Sequence, residues 1–487
     1  MIKRLFSSQL RINMASGVAV TLLNGVVMAA AYPLYLHFLG YEQFGIWLVL
    51  STVVSFAQLG NLGINQAVMK LVAEEYGRKD IDAMQQYISS AIVVLVLSGA
   101  VVLAIILVLQ GPIVALFKLS EENARIVSWL LPYTACLSIY IFIVQTVNAV
   151  LSGIGRMDIA NYVQSGGRIV AVVVASILLY RGAGVASLLL GSALSYLFIH
   201  VVSYVLILRL ARVRVLRFSN LSLARIGRLL SFGANLCGGT LVNIVFHSVN
   251  RVILSRYAGV AVIPVYDIGF SAGMQIRAIV ESGLRALLPE ISRISAEITE
   301  TARDRIAAIN RRALRLIFTF GVPLYGAVFL LAGPLLSVWL GANLAEALPG
   351  FFRVMLIASL ASLLGVPAYY TLMGLGHPFR CFIGQVIPTA VHFTILIVLV
   401  LLGKDPTLRY MGYTFLTGIV LSTLYLITKL RLCAYGMPVE SRTVLRCIPA
   451  SQAAAYPEVE DMQANTDVDV PKRHRLLRAI ADVSDQE

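Results

Sequence analysis

The chain has 487 residues, 58% of them hydrophobic and 13% charged, with a formal net charge of +14. Soluble globular chains are nearer half apolar and a quarter charged. Here the apolar residues gather in runs of about 20, the length that crosses a hydrocarbon core of roughly 30 Å, which excludes a string of soluble domains. The basic balance is that of a membrane protein whose Lys and Arg collect in cytoplasmic loops, not a nucleic-acid footprint.

In chain order the pattern predicts twelve spans, near 13–36, 44–68, 87–109, 126–151, 159–180, 184–208, 229–256, 261–288, 313–331, 349–373, 380–402 and 408–430. The first follows a basic start, Met1-Ile-Lys-Arg, but is long and has no small-residue cleavage site, so it reads as a retained helix. Pro289 to Arg312 mixes both charges and reads as a cytoplasmic amphipathic helix continuing from span eight. The tail after Arg431 is polar and apolar-poor from Pro449 to Pro471, which predicts disorder. Lys472-Arg-His-Arg-Leu-Leu-Arg within it is a candidate surface helix.

Sorting Lys and Arg fixes an orientation. With the N-terminus inside, the outer segments hold only Lys118, Arg125, Arg181, Arg256, Lys404 and Arg409, while most of the 39 fall inside. Both termini are therefore expected in the cytoplasm, with a basic linker over 209–228 between an N-terminal bundle, 1–208, and a C-terminal bundle, 229–430; the tail is 431–487. Cys136, Cys237, Cys381, Cys433 and Cys447 make no CxxC, so neither a disulfide framework nor a metal site is indicated.

The chain contains itself twice. Thr21-Leu-Leu-Asn24 recurs as Thr240-Leu-Val-Asn243, each ahead of a loop glycine, Gly40 or Gly259. Leu151-Ser-Gly-Ile-Gly-Arg156 recurs as Leu372-Met-Gly-Leu-Gly-His377 at nearly the same offset. A unit of six spans returns to its starting side, so the halves are parallel, a recognised transporter plan with the path between them.

Polar side chains inside the spans fall on single helix faces. Gln58, Asn61 and Asn65 lie in span two, and Gln145, Asn148 and Ser152 in span four. Asn161, Gln164 and Arg168 lie in span five, and Thr240, Asn243, His247 and Asn250 in span seven. Each face is either interhelical hydrogen bonding, worth under about 1 kcal/mol per contact, or the wall of a wet cavity. Span eight carries Asp267, Arg277, Glu281 and Arg285, the last three one turn apart, and Arg251 ends span seven at a depth similar to Asp267. Paired, these are structural; in excess, the arginines would draw phosphate in a forked geometry. There is no GxxxxGK[ST] and no GxSxG, so no ATP site, no cofactor and no enzymatic nucleophile is expected.

Tyr32-Pro33-Leu34, Leu39-Gly40-Tyr-Glu42-Gln-Phe-Gly45-Ile46-Trp47 and Leu59-Gly60-Asn-Leu-Gly63-Ile64, after Arg11-Ile-Asn13 and before Ala73-Glu74-Glu75 and Asp80, resemble the polysaccharide-biosynthesis flippases. These are O-antigen (Wzx-type) exporters of the multidrug/oligosaccharidyl-lipid/polysaccharide exporter superfamily. The resemblance extends over residues 1 to about 430 through the repeat. It implies an all-α polytopic fold of two parallel six-helix bundles forming a V, in a bacterial inner membrane. It implies as cargo an oligosaccharide on undecaprenyl pyrophosphate, turned from inner to outer leaflet by alternating access, with membrane lipids, H⁺ or Na⁺, and polymerase and export proteins as partners. Arg168, Arg277, Arg251 and Arg285 are the candidate contacts for the anionic head, with Asn61, Asn148, Gln164 and Asn243 for sugar; Asp267 and Glu281 are the ion-coupling candidates. A cation-coupled drug exporter is the alternative, and should carry acids rather than arginines in its cavity. A membrane glycosyltransferase or polymerase would need a large outer loop, and a lipid II flippase usually resembles a fourteen-span variant.

Overall fold

A computed structural model of the protein describes residues 8–61, 63–211, 223–284, 287, 291, 294 and 300–435. The disordered tail and its surface helix, expected beyond 448, and Arg285 lie outside these residues. Among the described residues fifteen α-helices follow one another. The first half holds α1 (Ser8–Ala57), α2 (Ile64–Gly77), α3 (Ile81–Val108), α4 (Gln110–Leu116), α5 (Glu121–Gly153), α6 (Met157–Tyr180) and α7 (Ala186–Ala211). The second holds α8 (Leu223–Ala258), α9 (Val262–Leu284), α10 (Glu300–Leu316), α11 (Val322–Leu330), α12 (Ala332–Leu340), α13 (Ala347–Gly374), α14 (Pro378–Leu401) and α15 (Leu408–Tyr435). No strand occurs among the described residues. The described residues up to Leu430 form one compact unit.

The span count follows from two details. Nine helices among the described residues are long and apolar enough to cross a membrane, and one of them, Ala19–Asn61, is a double span that Gly40 breaks with φ +64°. The two crossings that complete the twelve, α8 and α9, carry the second half's Asn, His, Arg, Asp and Glu. The protein is a multi-pass membrane protein, and α8 and α9 both line a polar cavity. The amphipathic stretch expected at 289–312 is helical from Glu300. It runs through a π-turn, Ile317–Gly321, into α11 and so opens span nine. Ile291 and Ile294 pack back on Ile306 of α10.

The repeat is visible in the backbone. Gly155 and Gly376 both have positive φ, +85° and +79°, and both close the same turn. Arg156 N–H donates to Leu151 C=O at 3.0 Å, as His377 N–H does to Leu372 C=O at 2.9 Å. A left-handed residue is what such a helix end requires, and glycine adopts it without a Cβ penalty. The next loops match as well. Ala183 N–H reaches Leu178 C=O around Gly182, and Lys404 N–H reaches Leu399 C=O around Gly403. No shared sequence word marks this second pair.

The halves meet along two seams. At one, α8 packs on α2 and α3: Arg228 reaches Glu74 at 3.1 Å and the Tyr87 hydroxyl at 3.1 Å, and Arg225 donates to Ala83 C=O. At the other, α1 packs on α9. Gln275 donates to Thr21 C=O at 3.0 Å, and Tyr32 donates to Asp267 Oδ2 at 3.1 Å. Near Gly40 the approach is close: a Cβ on Gly45 would run into the carbonyl oxygen of Val260, a backbone atom that cannot turn aside. Gly45→Ala is therefore expected to destabilise the junction of the halves by about 1–3 kcal/mol, the cost of overpacking. A thermal-unfolding scan of the purified protein checks it; an unchanged midpoint counts against this contact.

Candidate functional site

A polar cavity of about 640 Å³ opens inside the second half, between α8, α9, α13, α14 and α15. Helix α9 sets its chemistry. Arg277 and Glu281 stand one turn apart on one face, so they meet at 3.0 Å. Glu281 also accepts from the Tyr370 hydroxyl of α13 at 3.1 Å. Its ring neighbour Tyr369 accepts from the Gln385 amide of α14 at 2.9 Å. Asn243 lines the cavity and donates its amide nitrogen to Gly239 C=O at 3.0 Å. The Arg277 side chain is 30% exposed, yet its Nε–H is buried without a hydrogen-bond partner. A buried donor left unmade is costly, and a guanidinium edge with a free donor is set for a forked acceptor.

The ten residues singled out by sequence separate into groups. Asn243, Arg277 and Glu281 line the cavity together. Arg251 and Asp267 form an ion pair between α8 and α9, at 13% and 14% side-chain exposure, with Tyr32 of the other half on the second carboxylate oxygen. Asn148 is buried in the first half, and its amide oxygen finds no partner among the described residues. Arg168 and Gln164 lie on exposed positions of α6. Asn61 is at the α2–α8 seam, in a small hollow with Thr240 and Ile244. Arg285 is outside the described residues.

Some of the polar faces act as hydrogen-bonding glue. Asn65 donates to Gln145 at 3.0 Å and accepts from Thr146 at 2.6 Å. Asn250 is buried against Tyr266 and His392, and His392 is held in turn by Thr414. The span-seven stripe therefore divides: Asn243 and His247 face the cavity, and Asn250 faces the core. The cavity's described charges are also balanced, Arg277 by Glu281, so the expected cationic excess is not found among them. Sequence reasoning passed over Tyr369, Tyr370 and Gln385. Tyrosines count as apolar in a hydropathy scan, and a single Gln makes no stripe. The signal available was the Pro367 that precedes the tyrosines inside α13.

Residues 10–295, more than half of the chain, match the family described as "Polysaccharide biosynthesis protein". The chain belongs to that family. No curated protein matches it. Among solved structures it is similar to the inward-facing conformation of a multidrug resistance MATE family transporter of the MOP superfamily. The TM-score is 0.68 at 15% identity, over 88% of this chain and 96% of that one. The inward closed conformation of the lipid II flippase MurJ gives 0.67 at 14% identity, over 85% and 87%. A Vibrio cholerae MATE transporter gives 0.60 at 12% identity, over 88% and 97%. At these identities the likeness is one of fold. This family member therefore has the exporter-superfamily architecture along its membrane part.

Proposed function

We propose that this protein is a flippase for a lipid-linked oligosaccharide, carrying an undecaprenyl-pyrophosphate-borne unit from the inner to the outer leaflet of a bacterial cytoplasmic membrane. The observation that carries the reading is the Arg277–Glu281 pair in a polar cavity with the Arg277 Nε–H unpartnered. Glu281 holds the guanidinium in the place a phosphate would take. A pyrophosphate bidentate on Arg277 displaces Glu281, which keeps its Tyr370 hydrogen bond and takes up a proton or Na⁺ in compensation. Tyr369, Tyr370, Asn243 and Gln385 supply ring faces and amides for sugar. Membership of a polysaccharide biosynthesis family supports this cargo, and so does a likeness to a flippase whose described cargo is lipid II.

The two seams give the reading its moving parts. The Lys and Arg asymmetry assigns the Glu74 end to the cytoplasm and the Gly40 end to the outside, with bundles 1–208 and 229–430 joined by a basic linker at 209–228. Alternating access then means making and breaking the α1–α9 contacts around a fixed cavity. One observation favours a second reading: the acidic Glu281 in the cavity is what a cation-coupled drug exporter would use. Deletion of the gene decides between them. The flippase reading expects a lipid-linked oligosaccharide to accumulate on the inner leaflet with surface polysaccharide lost. Normal polysaccharide with raised drug sensitivity would overturn it.

A further inference from the structure

A second cavity, of about 700 Å³, lies between α1, α9 and α12, and its wall is hydrocarbon: Met28, Ile276, Ile279, Val328, Leu335 and Leu336. Three of the polar groups that border it are turned to other partners. Tyr32 donates to Asp267, Gln275 to Thr21 C=O, and Trp339 to Ala29 C=O at 2.6 Å. The cavity's size is that of a ligand site, and three of its residues, Met28 (42%), Ile279 (44%) and Leu335 (47%), are substantially exposed along it.

This groove adjoins the polar cavity. His247, Phe270, Met274 and Ala278 line both spaces. His247 and Phe270 stand edge-to-face there, their ring centres 4.8 Å apart. On α9 the groove runs from Phe270 to Ile279, about 14 Å of helix, in the middle of the crossing rather than at either end. That depth selects the occupant. An ordinary phospholipid keeps its head at the membrane surface, so its chain enters such a groove from the interface. Only a lipid whose head has left the surface and lies in the polar cavity has a chain that begins at mid-membrane.

We propose that the groove receives the first isoprene units of the carrier's polyprenyl chain while the pyrophosphate lies against Arg277, with the His247–Phe270 pair as the sill between head and tail. The proposal rests on the flippase reading and adds to it a chain-binding site formed by α1, α9 and α12. Trp at Leu335 or at Ala29 fills the groove without touching the polar cavity.

The test uses the full-length protein in nanodiscs with two probes. One is undecaprenyl pyrophosphate carrying a diazirine near its pyrophosphate end; the other is methyl diphosphate. The expected result is photo-adducts on Met28, Ile279 or Leu335. These should fall about ten-fold in Leu335→Trp and in Ala29→Trp, the loss expected when about two methylenes are no longer buried. Methyl diphosphate should bind these variants as it binds wild type, which also shows that they are folded. Adducts confined to other helices, or undiminished in both Trp variants, overturn the groove while leaving the flippase reading intact. So does equal labelling of the groove by a diazirine phospholipid that undecaprenyl pyrophosphate does not displace. If neither probe binds wild-type protein, the flippase reading fails and the groove proposal with it.

Discussion

Arg277→Gln is expected to reduce surface polysaccharide about ten-fold or more at matched protein level, because a charge-assisted contact is worth roughly 1.5–3 kcal/mol. The substitution leaves Glu281 with Tyr370 as its hydrogen-bond partner, so membrane insertion and folding should be little changed. Arg277→Lys separates charge from geometry. It keeps the cation but loses the fork, and should fall between wild type and Gln. Glu281→Gln has the opposite sense. Without the internal anion, Arg277 should hold a pyrophosphate more tightly and release it more slowly, so turnover drops while binding strengthens. Quantitative polysaccharide blots and carrier binding to purified protein report these outcomes. Wild-type export by Arg277→Gln would remove the cavity from the mechanism.

The second large effect is expected at the Arg251–Asp267–Tyr32 cluster. Asp267→Ala leaves Arg251 nearly buried without its counter-charge, which should cost about 3–5 kcal/mol and lower the unfolding midpoint sharply. Replacing both partners by apolar residues, Arg251→Met with Asp267→Leu, removes the desolvation problem together with the pair, so most of the stability should return. Transport should not return with it. Asp267 is also the residue to which Tyr32 of the other half donates, and the double variant removes that acceptor. Tyr32→Phe isolates this contact: small in stability, it should shift the α1–α9 seam toward its open form, measured as a longer spin-label distance between α1 and α9. If the double variant transports like wild type, the cluster only neutralises charge. If Tyr32→Phe leaves the distance unchanged, Tyr32 does not hold the seam shut.

Glu281 and Asp267 lie on α9 near its two ends, one in the cavity and the other at the seam.

The sequence by itself determined that the chain spans the membrane many times, because length and hydropathy are set by bilayer thickness and need no tertiary contact. It also determined the duplication. Gly155 and Gly376 are legible because a left-handed helix end selects glycine, and their backbone angles agree. The pairing of Arg277 with Glu281 was legible too, since one turn of a helix fixes their distance. What a polar face looks toward was not. Asn65 and Asn243 sit in similar stripes, yet one bonds Gln145 in a packed interface and the other lines a cavity, and only the neighbouring helices decide which. The same holds for Tyr32, Tyr370 and Trp339, whose hydroxyl or ring nitrogen meets a partner far away in sequence. Helical periodicity fixes the direction of a side chain about its own axis; what stands opposite it is a property of the packed tertiary structure alone.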